Sequence, residues 1–439
     1  MSKKIKPQIA TLMARLLLVV AVLSGSASRV VFAQQAQSAA VNPKNAAVIA
    51  ATAEVLQETS ELRKLAVLRQ VKSGAQTRDE IRHMVIQKLK EDSTPEDMRS
   101  SELTLKKFGL VPADFQFHPF IIGLYTEQVA GYYDPKTQQF YLADWIDVDG
   151  QKPVIAHELV HALQDQHFNL RRLEKWPKEE GDAELAAHAL VEGDATLAMT
   201  QYILRSPLRA FAMLRAMGGS GSSNEQIDRA PRALRESLLF PYEQGTSFAA
   251  QLFKRGGWEA VSQAFGKLPE STEQILHAEK YFAGESPVKI QMPDLAARLG
   301  AGWKRVGNDV NGEWGLYLIL DEFLKASAES KTATAGWGGD RFALYEQPRT
   351  KSILLAQLTV WDTEQDATEF FDAYAKRTAL RYQKALALKS APDEANNVQR
   401  IWQTREGRVV LQRRGTHVNI LEGVPEKANV GELLRALRQ

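Results

Sequence analysis

His157-Glu158-Leu159-Val160-His161 is the segment of the chain whose residue types and spacing could do chemistry. On an α-helix, residues four apart share a face, so the two imidazoles can meet one metal ion. Glu158 lies one step round the helix, where its carboxylate reaches a water held by that ion rather than the ion itself. Zinc suits the set, because it accepts imidazole nitrogen and carboxylate oxygen in tetrahedral geometry. It also lowers the pKa of its water towards neutrality, which a carboxylate base can exploit. With eight His in 439 residues, chance supplies such a pentad in roughly one chain per hundred. Apolar filler at Leu159, Val160 and Leu163 adds the expectation of a buried helix.

Two histidines need a third protein ligand. His167 follows His161 by six residues, a metzincin-like spacing that requires a sharp turn after the second ligand. The position suited to a turning glycine is Gln164, a good helix former, and on a continuing helix His167 points about 120° away. Glu192 fits better. It stands in Ala189-Leu190-Val191-Glu192-Gly193-Asp194-Ala195, where the neighbours favour burial and an isolated charge would be too costly. Gly193 removes a side chain beside it, letting a second helix approach. Glu184, His188, Glu192 and Thr196 recur every four residues on one face. Asp194 and Thr196 are candidates for orienting a ligand imidazole; Glu184 and His188 read as cleft residues, and Asp165 as a helix cap.

The elements that must position these groups are legible in outline. Thr77 is a plausible N-cap for a helix over Arg78 to Lys90, and Ser93-Thr94-Pro95-Glu96 starts another. Gly131 to Leu142 reads as a hairpin turning at Asp134-Pro135-Lys136-Thr137. Pro153 opens the metal-binding helix at an offset where its missing N–H is tolerated. A second helix, apolar nearly all round, spans about Asp182 to Ile203. Gly218 to Ser223 marks a loop. Further helices are expected from Phe248 to Phe265, Thr272 to Tyr281, Glu313 to Leu324 and Thr363 to Leu386. Strands are expected at Ile353 to Val360, Val409 to Arg413 and Val418 to Leu421, and Gly338-Gly339-Asp340 reads as a turn. The tryptophans Trp258, Trp303, Trp314, Trp337 and Trp361 read as core or contact residues.

His157-Glu158-x-x-His161 followed by a helix bearing Glu192-Gly193 resembles the gluzincin zinc metallopeptidases. Segments His157 to Phe168, Val191 to Ala195 and Ser271 to Tyr281 resemble, more closely, uncharacterised secreted bacterial metallopeptidases. The similarity runs from about Glu127 through Leu421, and the first two segments carry its specific chemistry. The resemblance implies an α+β fold: a zincin-like metallopeptidase lobe, mostly helical with a small sheet, plus a C-terminal mixed α+β domain. It implies one zinc ion on His157, His161 and Glu192, with Glu158 activating water for attack on a peptide or protein substrate. The Gly131 to Leu142 hairpin would supply an edge for an extended substrate. Gluzincins also present a donor to the tetrahedral oxyanion; His277 and Tyr281, four apart in an expected helix, fill that role here, with Tyr132 and Tyr133 as weaker alternatives. Thr196 stands where the thermolysin version has Asp, which leaves the partner of the first histidine open.

Composition bounds the remaining possibilities. Hydrophobic residues make up 44% and charged ones 25%, as in folded soluble proteins. Cysteine is absent, which excludes disulfides, thiol nucleophiles, Cys-ligated zinc and a lipidated-Cys anchor. Lys3, Lys4, Lys6 and Arg15 precede the apolar run Leu16 to Leu23, and Val31-Phe32-Ala33 resembles a cleavage site. Eight apolar residues fall short of the about 20 needed to span a membrane, so residues 1–33 read as a secretory signal. The expected destination is periplasmic or extracellular, without stable membrane insertion. Removing the leader takes five of the 55 basic residues and leaves 50 against 53 acidic, a net −3. That charge gives no electrostatic case for nucleic acid. The expected organisation is a mobile tail over 34–55, a catalytic lobe over 56–295 and a C-terminal domain over 296–439. Two other functions fit the motif: a zinc hydrolase of non-peptide amides, and a secreted metal-binding scaffold without turnover. Glu158 weighs against the scaffold, since a structural metal site has no use for a base.

Overall fold

The computed structural model describes residues 43–177, 179–211, 229–388 and 397–438. The expected leader over 1–33, the tail up to residue 42 and the loop Gly218 to Ser223 lie outside the described residues. None of the described helices is long and apolar enough to cross a membrane. The fold is α+β.

The first half of the chain is mostly helical: α1 (Pro43–Arg63), β1 (Lys72–Gln76), α2 (Arg78–Asp92), α3 (Pro95–Phe108), α4 (Phe117–Gln128), β2 (Gly131–Asp134), β3 (Gln139–Ala143), α5 (Lys152–Phe168), α6 (Gly181–Leu204), α7 (Arg232–Ala264), α8 (Thr272–Leu276) and α9 (Ala278–Ala283). Thr77 and Thr94 each form a capping box, with Glu80 and Asp97 respectively, as Thr-x-x-acid spacing dictates. The three strands pair in the order β1-β3-β2, β1 parallel and β2 antiparallel to β3. Strand alternation divides their side chains. Tyr133, Phe140 and Leu142 face the core around α1, α5 and α6, whereas Tyr132 and Ala143 face the core around α2 and α4.

Two expectations in this half need correction. The mobile tail placed over 34–55 is helical from Pro43 onward. Val48, Ala51, Thr52, Val55, Leu56, Thr59 and Leu62 are buried, an i, i+3, i+4, i+7 stripe that lays α1 against α5. Ala-rich composition there serves helix formation rather than mobility. The helix expected over Thr272 to Tyr281 is two short ones broken at His277, whose φ of −124° and ψ of 78° are not helical.

The second half builds one antiparallel sheet. Its elements are β4 (Lys304–Asp309), α10 (Gly312–Leu324), β5 (Trp337–Gln347), β6 (Ser352–Trp361), α11 (Glu364–Arg381), β7 (Leu386–Leu388), β8 (Asn397–Thr404), β9 (Gly407–Arg414), β10 (His417–Val424) and α12 (Val430–Ala436). The strand order is β4-β5-β6-β10-β9-β8-β7. Phe342, Leu344, Leu355, Val409 and Ile420 pack under α10 and α11; Ala343, Tyr345, Leu354, Val410 and Leu421 pack under α12 on the other face. Gly338-Gly339-Asp340 is not a turn but lies within β5, where the register with β6 shifts between Trp337 and Gly339. Asp340 accepts from the backbone amides of Asn311 and Gly312 at 3.1 and 2.9 Å, which draws this strand against the start of α10. The sheet layer also takes in chain before the expected boundary at 295. Val288 donates to the Gly338 carbonyl, and Ile290 and Met292 are buried in the sheet core.

Two contacts matter most for the site. Helices α6 and α7 cross with Gly193 against Gly245; a Cβ on Gly193 would overlap the Gly245 carbonyl, and one on Gly245 would overlap that of Ala189. The sheet layer also anchors α6, because Asp309 of β4 accepts from the Gly181 N–H at 2.8 Å, satisfying one of the orphan donors of a helix start.

Gly245→Ala is therefore expected to lower stability by roughly 1–3 kcal/mol through overpacking, read by urea denaturation. In the sheet layer, burial opposes charge on Glu422, but Arg377 and Arg381 hold its carboxyl down to about 2 from 4.5. A folded-state value below the unfolded one gives stability that is complete above about pH 4.5 and lost as pH falls towards 2. Glu422→Gln is expected to cost about 3–5 kcal/mol at pH 7 by stranding the arginines, and to flatten the acid limb of a pH–stability curve.

Candidate metal centre

Helix α5 is buried on all sides from Val154 to Asp165, and α6 from Gly181 to Ala195. Ionisable groups on these helices must therefore satisfy one another. His157, His161 and Glu192 converge, as the four-residue spacing on α5 and the apolar setting of Glu192 lead one to expect. His157 Nε2 and His161 Nε2 lie 3.1 Å apart, and Glu192 Oε2 stands 3.1 Å from the first and 3.4 Å from the second. Donors 2.0–2.1 Å from a common tetrahedral ion would be separated by about 3.4 Å, so the three fit a zinc-sized ion with little adjustment. The other carboxylate oxygen of Glu192, Oε1, is buried as well, and the Tyr242 hydroxyl comes within reach of this carboxylate.

Charge is shared within this group. Burial works against ionising Glu192, but the His161 charge and hydrogen bonds from both histidines hold its pKa down to about 2. Burial likewise disfavours a charged His161, and the Glu192 carboxylate overrides it, pushing the imidazole up to about 9. His157 is lowered, chiefly by burial. Glu158 is outside the group of three. Its Oε2 accepts from the Tyr133 backbone N–H at 2.9 Å, and desolvation pushes its pKa up to about 8.

The β2 backbone explains that contact. Ala143 N–H donates to the Ala130 carbonyl. By the period of two in an antiparallel pair, Tyr132 and Asp134 turn their backbone groups towards β3. Those of Gly131 and Tyr133 turn to the outer edge, and it is this edge that meets Glu158.

The expected neighbours fall into place unevenly. Asp194 reaches His161 at one remove: Gln164 bonds both His161 and Asp194. The Thr196 hydroxyl is buried and has no hydrogen-bond partner among the described residues. Glu184 and His188 are buried on the Glu192 face of α6, outside the group of three. Asp165 accepts from the Tyr133 hydroxyl and the Leu170 N–H, tying down the helix end. His167 is exposed and bonds the Ala66 carbonyl, because α5 continues to Phe168 and carries it off the face of His157 and His161.

The structure does not bring His277 and Tyr281 into the group of three. The break between α8 and α9 removes their common face. His277 Nε2 pairs with Glu313 Oε1 at 3.0 Å, and the Tyr281 hydroxyl donates to the Lys267 carbonyl at 2.7 Å. Tyr132 likewise donates its hydroxyl to Gln76. The aromatic hydroxyl at the site belongs instead to Tyr242 of α7. Its half-buried ring stacks on His157 with centroids 6.1 Å apart. Burial, then the charges of Glu192 and Glu158, raise its pKa well above 10, and Glu192 lies within hydrogen-bonding reach. The sequence signal was indirect. Gly245 lies three residues on, and its match with Gly193 lets α7 descend onto α6.

A domain family of unknown function, DUF8575, matches residues 298–434, the sheet layer and not His157, His161 or Glu192. No curated protein and no solved structure matches the chain.

The chain is expected to bind one zinc ion with a rise in melting temperature, stabilisation being about 4 kcal/mol at a thousandfold excess over Kd. Alanine at His157, His161 or Glu192 is expected to abolish that rise, measured by calorimetry with and without zinc.

Proposed function

We propose that the protein is a zinc-dependent peptidase of the gluzincin kind, its helical half a zincin-like lobe. The observation that carries this reading is Glu158. It is a buried carboxylate beside the three candidate ligands yet not among them, with its pKa pushed up to about 8. A structural site has no need of such a group, whereas a general base works best with a proton affinity near the working pH.

In this reading His157, His161 and Glu192 hold one zinc ion. Bound there, zinc would lower the pKa of a water and polarise the peptide carbonyl. Glu158 takes the proton from the attacking water and returns it to the leaving amine. The Tyr133 N–H fixes which carboxylate oxygen faces the site. Tyr242, a high-pKa hydroxyl that stays protonated, is placed to donate to the developing oxyanion. The outer edge of β2 runs past Glu158, and an extended peptide pairing there would bring its backbone to the base with little demand on side-chain sequence. The basic, apolar and small-residue pattern of residues 1–33 supports export from the cytoplasm.

Glu158→Gln is expected to lower kcat for peptide cleavage at least about 10²-fold while one zinc per chain is retained, read by mass spectrometry of products and by metal analysis. Unchanged cleavage would overturn the assignment. Hydrolysis of non-peptide amides alone would move the enzyme to another substrate class. Tyr242→Phe is expected to reduce kcat by about 10²–10³, with KM and zinc content close to those of the wild type.

A further inference from the structure

The Gln164 amide has no freedom to turn over. Its nitrogen donates to the Val191 carbonyl at 3.0 Å and to Asp194 Oδ2 at 2.8 Å. A backbone carbonyl and a carboxylate accept only, so the NH₂ group must face them. The amide oxygen is thereby aimed at His161, 2.8 Å from Nδ1. An amide oxygen accepts only, so Nδ1 carries a proton. In the neutral ring the lone pair is left on Nε2, the nitrogen that faces His157 and Glu192.

Asp194 is itself locked. Arg63, at the end of α1, grips it with two hydrogen bonds, Nε to Oδ1 at 2.5 Å and Nη2 to Oδ2 at 3.0 Å. Both side chains are fully buried. Arg63 also donates to Ser262 Oγ at 3.1 Å, and its guanidinium carbon lies 4.7 Å from the Trp258 ring centroid. A buried ion pair adds little net stability compared with apolar packing. Orienting a ligand is a use that packing could not replace.

We propose that Gln164 is a positioning residue for the metal centre, set by Asp194 and Arg63, that fixes His161 as its Nδ1–H tautomer and so raises zinc affinity. This rests on the zinc reading of the site. In this amide relay a neutral side chain transmits the hold of a buried ion pair to the imidazole, where a carboxylate would ordinarily touch it directly.

The test compares zinc affinity, by competition with a chromophoric chelator, across variants of the full chain. Gln164→Met removes acceptor and donor at similar volume and is expected to weaken zinc binding about 10–100-fold, with the melting temperature of the metal-free protein reported alongside. Gln164→Glu sets a carboxylate against Asp194 and is expected to weaken it comparably. The exchange Gln164→Glu with Asp194→Asn restores an acceptor for His161 and an amide donor for position 164, while the Val191 carbonyl and one Arg63 nitrogen lose their partners. It is expected to recover part of the zinc affinity lost in Gln164→Glu. Wild-type affinity in Gln164→Met, or no recovery in the exchange relative to Gln164→Glu, would overturn the relay. Should Gln164→Met fail to fold, the exchange comparison decides. A wild-type protein that takes up no zinc would instead overturn the metal reading beneath the relay, and the relay with it.

Discussion

Four ionisable groups are buried where two helices meet, and the neighbourhood is organised around making that burial tolerable. His157, Glu158, His161 and Glu192 lie among Ala156, Leu159, Val160, Ala189 and Val191, all of them buried. An unpaired charge in such surroundings would cost several kcal/mol. Without metal, the structure answers with a His161–Glu192 ion pair, visible in the opposed shifts of the two groups. Glu158 is answered by a backbone N–H and by keeping its proton towards pH 8. A metal cation would take over the first compensation and release the His161 proton, so metal uptake and internal electrostatics oppose each other on the same atoms.

That arrangement needs α6 and α7 closer than side chains ordinarily permit. The Gly193–Gly245 crossing supplies the approach, and through it α7 carries Tyr242 to the ring of His157. The sheet layer then fixes the start of α6, Asp309 accepting from Gly181, while Thr272 of α8 donates its N–H and hydroxyl to Asp182. The segment matched by the family of unknown function thus has at least one physical role in this chain: it holds the end of the helix that bears Glu192. That role needs no catalytic residue of its own.

Local rules made part of this legible in advance. HExxH spacing placed two imidazoles on one face, and the apolar run around Glu192 marked a buried carboxylate in need of a partner. Capping residues Thr77 and Thr94, the hairpin and the strands β6, β9 and β10 follow from patterns a few residues long. The failures are non-local. Tyr242 lies 50 residues beyond Glu192 in a helix that runs through Pro241, and nothing in its own neighbourhood points to a metal. His277 and Tyr281 looked like a helical pair because spacing cannot reveal a break that Glu313, on another helix, stabilises. Gly338-Gly339-Asp340 has turn composition, yet Asp340 is drawn into a strand by amides of α10. Ala-rich residues after Pro43 read as tail when only the partner helix α5 shows what their apolar stripe covers.

The β2 edge joins substrate placement to proton transfer in the proposed reaction. Successive residues of a strand alternate in where their backbone groups point, so Tyr133 cannot turn its N–H to Glu158 without Gly131 facing the same way. The orientation of the base and the rail on which a peptide would lie are consequently set by one register, that of β2 on β3. A slip of one residue would deprive Glu158 of its donor and turn the buried Tyr133 ring from the α5 core to the opposite face. Tyr133 bonding Asp165 at the end of α5 opposes that slip from the other side of the same residue. A peptide docked along this edge would meet a carboxylate held in the same frame as the strand that aligns it, the pre-organisation that positioning contributions to catalysis require.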